Sequence, residues 1–186
     1  MSSLIHEPQW YTYPHRFLHN IPLDMQDWLF DKGSLTSRIV AACDGPFRVE
    51  VVSQGWQRPF ANEAKRLGIK QHHRAWVRQV RLYCGDTPWV FARTVIPLKT
   101  LTGPQRHLAC LGNKPLGAIL FADPGMTRDS IEVAELQAPH YFHTNAIQGL
   151  STVPDLIWGR RSVFYLNKKS LLVNEIFLPG IKCCNV

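Results

Sequence analysis

The chain has 186 residues, is 45% hydrophobic and 19% charged, and carries a formal net charge of +7. That length fits one domain with a core large enough to need no staples. No apolar run approaches the roughly 20 residues of a membrane span, and the start Met1-Ser2-Ser3-Leu4-Ile5-His6-Glu7-Pro8 lacks the basic-then-apolar order of a secretory signal, so a cytoplasmic protein is expected. The basic residues are scattered, with short groups only at Arg160-Arg161 and Lys168-Lys169, which favours a surface that concentrates a dianionic metabolite over a nucleic-acid groove. Five cysteines, Cys43, Cys84, Cys110, Cys183 and Cys184, show no CxxC spacing and are odd in number, so free thiols are expected rather than a zinc site or a disulfide framework.

Residues 1–20 are rich in proline, histidine and aromatics without a period, and are expected to form an extended or poorly ordered arm ahead of a domain over 21–186. In 22–30, Met25, Trp28 and Leu29 recur at helical spacing with Asp24 placed to cap the start. Gly33 ends that helix, and 34–39 restarts one capped by Ser34 or Thr36, whose free N–H groups would suit an anion. Residues 47–54 alternate as a strand that Gly55 ends, and 61–67 offers a turn or two of helix. Beyond the central hairpin, 100–108 has turn residues followed by a short helix. In 111–121, Gly112, Pro115 and Gly117 surround Leu116, a pattern that reads as a loop approaching something closely. Residues 127–134 read as a strand. In 135–155, Pro139, His140, His143, Gly149 and Pro154 break any period, so a long surface loop, a lid or an insertion, is expected; His140 and His143 have no further ligand at metal-binding spacing, and no metal is assigned. Strands at 158–166 and 170–178, joined by Asn167-Lys168-Lys169, close the chain. Adjacent strands with few long helices predict an α+β fold, an antiparallel sheet with helices to one side.

The most informative stretch is 76–97, two extended segments joined by a turn at Cys84-Gly85-Asp86-Thr87. Side chains alternate along a strand, so Trp76, Arg78, Val80 and Leu82 share one face and Arg78 stands in an apolar row. In the last strand Leu171, Val173, Glu175 and Phe177 share a face, and Glu175 is a carboxylate among apolar neighbours. A buried charge demands an opposite charge. Either the two pair with each other, or one lies at the rim of a doubly buried strand, or they line a pocket for an anionic, partly apolar molecule, with Arg78 on a carboxylate and Glu175 on a hydroxyl or ether oxygen.

With these segments in order, the chain resembles the chorismate lyase family. The residues that carry the resemblance are Asp31 to Arg38 with Gly33-Ser34-Leu35-Thr36, Trp76-Val77-Arg78, the run from Gly85 to Pro97, Leu111-Gly112 with Pro115-Leu116-Gly117, Trp158-Gly159-Arg160-Arg161-Ser162, and Leu171 to Pro179. The resemblance implies a single domain built on an antiparallel sheet, flanked by helices and loops that enclose the ligand. It implies a cofactor-independent carbon–oxygen lyase that converts chorismate to 4-hydroxybenzoate and pyruvate, the entry to the ubiquinone ring; a closed pocket complementary to an aromatic acid is expected to retain product and so to show product inhibition. It implies Arg78 and Glu175 as the catalytic, charged contacts and the backbone around Leu35 and Leu116 as the remaining substrate contacts. The chain departs from the pattern at Leu35, where the family often has Met, at Gln79, where Glu is common, and at 135–155, which shorter relatives lack.

Two other readings compete. A sensor-like domain of the same fold, as in certain bacterial transcription regulators, would bind a small aromatic acid without chemistry; the short arm offers no pattern for their helix-turn-helix. An RNA-binding protein would show strongly salt-dependent affinity. The expectation is a monomer acting on small molecules, with no nucleic acid and no stable membrane insertion.

Overall fold

The computed structural model describes residues 6–15 and 20–183. Its strands are β1 (Tyr11–Thr12), β2 (Phe47–Gln57), β3 (Ala75–Cys84), β4 (Thr87–Pro97), β5 (Thr127–Arg128), β6 (Glu132–Gln137), β7 (Leu156–Leu166) and β8 (Lys169–Phe177). The helices are α1 (Leu23–Phe30), α2 (Leu35–Ala42), α3 (Ala61–Leu67), α4 (Leu116–Ala122) and α5 (Tyr141–Ala146), with 3-10 helices at Gly103–Cys110 and Pro179–Cys183. The strands form one antiparallel sheet in the order β1-β6-β7-β8-β4-β3-β2, with β5 pairing β7 outside that path. No helix among the described residues is long and apolar enough to cross a membrane.

Two tight turns fix the register of the central strands. Gly85, at φ +55°, turns β3 into β4 in two residues, and Asn167 and Lys168, both with positive φ, do the same between β7 and β8. Arg78 is thereby set opposite Thr94 and Thr94 opposite Val173, while Val80, Ala92, Glu175 and Arg160 make the adjacent row on the same face. Helices α1, α2 and α4 cover this face, and α3 and α5 cover the other.

The covered face carries two apolar clusters rather than one. Met25, Leu29 and Ile39 of α1 and α2 pack with Val80, Leu82, Val90 and Phe177. Leu116 and Leu120 of α4 pack with Ile96, Phe164, Leu171 and Val173. Charged side chains occupy the seam between the two groups. On the opposite face the buried charges are paired: Arg93 donates Nε to Glu63 (2.9 Å), Asn174 also binds Glu63 (3.2 Å), and Arg161 donates Nε to Glu132 (2.9 Å).

Several local expectations are corrected. Pro22 rather than Asp24 caps α1; Asp24 lies in its first turn. Gly55 does not end β2, which continues to Gln57 through a register shift between Val51 and Ser53. Segment 111–121 is not a loop, because Leu116–Ala122 is helical. The strand expected over 127–134 is broken into β5 and β6. Residues 135–155 are not one long loop, since 135–137 finish β6 and α5 buries Phe142 and Ala146. The expected free thiols give way to a disulfide: β3 ends at Cys84 opposite Phe47, just beyond α2, which brings Cys43 within a Cα separation of 5.6 Å. Cys110 is free and exposed, and the Cys183-Cys184 thiols lie outside the described residues, as do 1–5 and 16–19 of the arm. The described part of that arm pairs through β1 with β6, and the carboxylate of Glu7 accepts the N–H groups of Ala61 and Asn62 at the start of α3.

Candidate active site

A pocket lies in the seam between the two clusters, floored by β3, β4, β7 and β8 and roofed by the starts of α2 and α4. Its empty volume is about 570 Å³, part of it open to solvent. The floor supplies Arg78, Val80, Ala92, Thr94, Val173, Glu175 and Arg160, and the roof supplies Gly33, Leu35, Thr36, Pro115, Leu116 and Gly117.

The roof follows from local sequence. Ser34 caps α2, its Oγ accepting the Ser37 N–H (3.3 Å), and Pro115 fills the corresponding place before α4. The first N–H groups of a helix have no intrahelical partner, and Leu35 and Leu116 are the first residues of their helices and line the cavity, so unpaired backbone donors lie at its edge. The two helix starts touch, and a Cβ on Gly117 would lie 2.9 Å from Thr36 Oγ1, which explains a glycine where the close approach was read from sequence.

Arg78 is 2% exposed. Its Nη2 donates to the carbonyls of Gly112 (2.8 Å) and Lys114 (3.1 Å), which ties down the segment leading into α4, while Nε is buried with no hydrogen-bond partner. No carboxylate pairs with it among the described residues, and burial pushes its pKa down. Among the described residues the other buried arginines all have an acid: Arg93 has Glu63, Arg160 has Glu175 and Arg161 has Glu132. An unpaired buried guanidinium costs several kcal/mol by desolvation alone, about what a bound carboxylate would return.

Glu175 is not the partner of Arg78, so the direct pairing left open by the sequence is set aside. Its Oε2 accepts Arg160 Nε at 2.6 Å, and its side chain is 15% exposed to the cavity. Strand spacing places the Cα atoms of Arg78 and Glu175 roughly 12 Å apart, two strands across and two residues along. Both side chains rise from the same face into one pocket, far enough apart for a ring to lie between them.

All four residues singled out by sequence, Leu35, Arg78, Leu116 and Glu175, therefore line one cavity. Sequence reasoning missed Arg128 and Arg160, which also line it. Arg160 sits in the alternating row Trp158, Arg160, Ser162, Phe164, and the parity test that exposed Arg78 would have found it. Arg128 lies in a two-residue strand, too short to show any alternation. His140 and His143 serve the backbone: His140 Nδ1 accepts the Gln137 N–H (3.3 Å), and His143 Nε2 lies 2.8 Å from the Pro154 carbonyl.

The fold recurs in distant proteins. A GntR-family transcriptional regulator from Bacillus cereus matches with a TM-score of 0.53 at 14% identity over 72% of this chain and 92% of its own. The C-terminal domain of the histidine utilization repressor from Pseudomonas syringae pv. tomato matches with a TM-score of 0.54 at 10% identity over 73% and 93%. Closer relatives exist in sequence. A "Probable chorismate pyruvate-lyase" of Methylococcus capsulatus is 42% identical over 84% of this chain and 96% of its own length, and one of Aromatoleum aromaticum is 38% identical over 95% of each. The chorismate lyase family model matches residues 9–183, a span that takes in the sheet, both roofing helices and every pocket residue. The chain belongs to the chorismate lyase family.

Proposed function

We propose that the protein converts chorismate to 4-hydroxybenzoate and pyruvate, the first step of ubiquinone ring synthesis, without metal or organic cofactor. The observation that carries this reading is Arg78, a buried guanidinium with no carboxylate of its own, in one pocket with a glutamate. Arg78 takes the ring carboxylate, the starts of α2 and α4 complete its hydrogen bonds, and Glu175 takes the ring oxygen that becomes the phenol.

The reaction rearranges one molecule into two with no atom added. The bond from ring carbon C3 to the ether oxygen breaks, and its electron pair leaves with the enolpyruvyl group. The C4 hydrogen departs as a proton, and its bonding electrons close the third double bond of the ring. The released enolate takes one proton at its methylene carbon, balancing the one lost from C4, and becomes pyruvate. Aromatisation supplies the driving force, so the protein's part is to hold the ring with the breaking C–O and C–H bonds aligned, and to stabilise charge on the departing oxygen. Arg78 and Glu175 fix two ends of the ring, and Val80, Ala92 and Val173 give it an apolar bed that excludes water.

We place the protein in the cytoplasm as a monomer acting on small molecules alone, its net charge of +7 serving to attract a dianion. The test is to incubate purified protein with chorismate and follow pyruvate by coupling to lactate dehydrogenase. One pyruvate per chorismate is expected. Tight 4-hydroxybenzoate binding with no pyruvate release would instead mark a sensor-like domain.

A further inference from the structure

Arg78 and Glu175 account for one carboxylate and one ring oxygen, yet the pocket holds two further guanidinium groups. Arg160 is paired: Nε is on Glu175, and Nη1 donates to the carbonyls of Trp28 (2.7 Å) and Asp31 (2.8 Å). Arg128 is not. It reaches in from β5, its Nε donating to Ser162 Oγ (3.0 Å) and its Nη1 making long contacts with the carbonyls of Asp31 (3.4 Å) and Lys32 (3.3 Å). Its guanidinium lies 5.0 Å from the centre of the Phe164 ring, and no carboxylate pairs with it among the described residues.

We propose that Arg128 binds the second carboxylate of the substrate, that of the enolpyruvyl group, an assignment that rests on the reading of Arg78 and Glu175 given above. The placement in the sheet fits. Going from β3 to β5 crosses β4, β8 and β7, so Arg78 and Arg128 start roughly 19 Å apart at four strand spacings, with Glu175 on the central strand. Both side chains leave the same face of the sheet and line the same cavity, Arg78 at the β3 side and Arg128 at the β5 side. That order, with Glu175 between, suits a ring with a carboxylate at one end and a carboxylate-bearing ether near the other. The C4 oxygen, beside that ether, falls to Glu175.

The electrostatics point the same way. The Arg128 pKa is pushed down to about 10, first by burial and then by Arg160, against the opposing pull of Glu175 and Asp31. An incoming carboxylate relieves both burdens. Three guanidinium groups against one carboxyl group suit a dianion; 4-hydroxybenzoate brings only one carboxylate, and the other leaves Arg128 with pyruvate. Arg128 thus distinguishes substrate from product.

The test compares chorismate kinetics with 4-hydroxybenzoate binding by calorimetry in Arg128→Gln and Arg128→Lys. For Arg128→Gln the expected result is a chorismate KM raised about 30-fold or more, with the product Kd within about threefold of wild type. Arg128→Lys keeps the charge and should recover part of the loss, and it carries the same comparison if the Gln variant fails to fold. A residue that merely props the wall would move both quantities together; that outcome, or no change in either, overturns the proposal. Arg78→Ala separates the two readings. Weakened product binding there leaves the two-point reading standing whatever Arg128 does, whereas undiminished product binding sinks both.

Discussion

Replacing Arg78 by alanine removes a buried cation in the pocket that has no acid to answer it among the described residues. A charge-assisted contact in a desolvated site is worth about 2–5 kcal/mol, which translates to roughly 30-fold to 5,000-fold in kcat/KM. If Arg78 holds the ring carboxylate as proposed, it does so before, during and after bond cleavage, and most of the loss should appear in KM and in product affinity rather than in kcat. A second effect adds to the first. Nη2 of Arg78 fastens the carbonyls of Gly112 and Lys114, and losing them frees the segment that positions Leu116 over the cavity. Arg78→Lys restores the charge without the planar fork and should fall between wild type and Arg78→Ala. Initial rates from the pyruvate-coupled assay, with circular dichroism and urea unfolding to confirm the fold, measure all three proteins. Rates for a folded Arg78→Ala within about tenfold of wild type would refute the reasoning, because no carboxylate contact of this kind is worth so little.

Other outcomes follow from the same geometry. Glu175→Gln keeps the shape of the side chain but not its charge, so kcat should fall by more than the 4-hydroxybenzoate Kd changes; an unchanged kcat would reduce Glu175 to a counter-ion for Arg160. A roofed pocket complementary to an aromatic acid should retain its product, so added 4-hydroxybenzoate should slow the initial rate, and progress curves indifferent to it would count against enclosure. Acid should weaken the fold through Asp31. Burial raises its pKa, but the Gly33 N–H, Arg38 and Arg160 together outweigh this and hold it below the ordinary carboxylate value. A carboxyl depressed in the folded state stabilises above its unfolded pKa, and that contribution drains away as pH falls below about 4. The urea midpoint should therefore drop between pH 5 and pH 3, and drop less in Asp31→Asn; equal drops would clear Asp31 of the effect.

Much of the site was legible because strand alternation exposes a misplaced charge. Arg78 and Glu175 interrupt rows of apolar residues in strands long enough to establish a period, and the sheet then put both rows on one face. Alternation is silent on what lies between the rows, so the pairing of Glu175 with Arg160 had to come from the register of β7 against β8. It is also silent for Arg128, whose strand is two residues long. Helix α4 was hidden by its own specialisation: Pro115 and Gly117 look like loop residues, yet one fits the helix start and the other the close approach of Thr36. The Cys43–Cys84 bridge joins residues 41 apart, from just after α2 and from the end of β3, and no spacing rule anticipates a pairing that depends on how β2 lies beside β3.

A crystal structure of the protein with 4-hydroxybenzoate would show whether Arg78 and Glu175 grip opposite ends of one aromatic acid. The carboxylate should lie within about 3 Å of the Arg78 guanidinium and the phenol oxygen within about 3 Å of Glu175. A ligand bound in the reverse sense, or seated anywhere that leaves the Arg78 guanidinium without an anion, would contradict it.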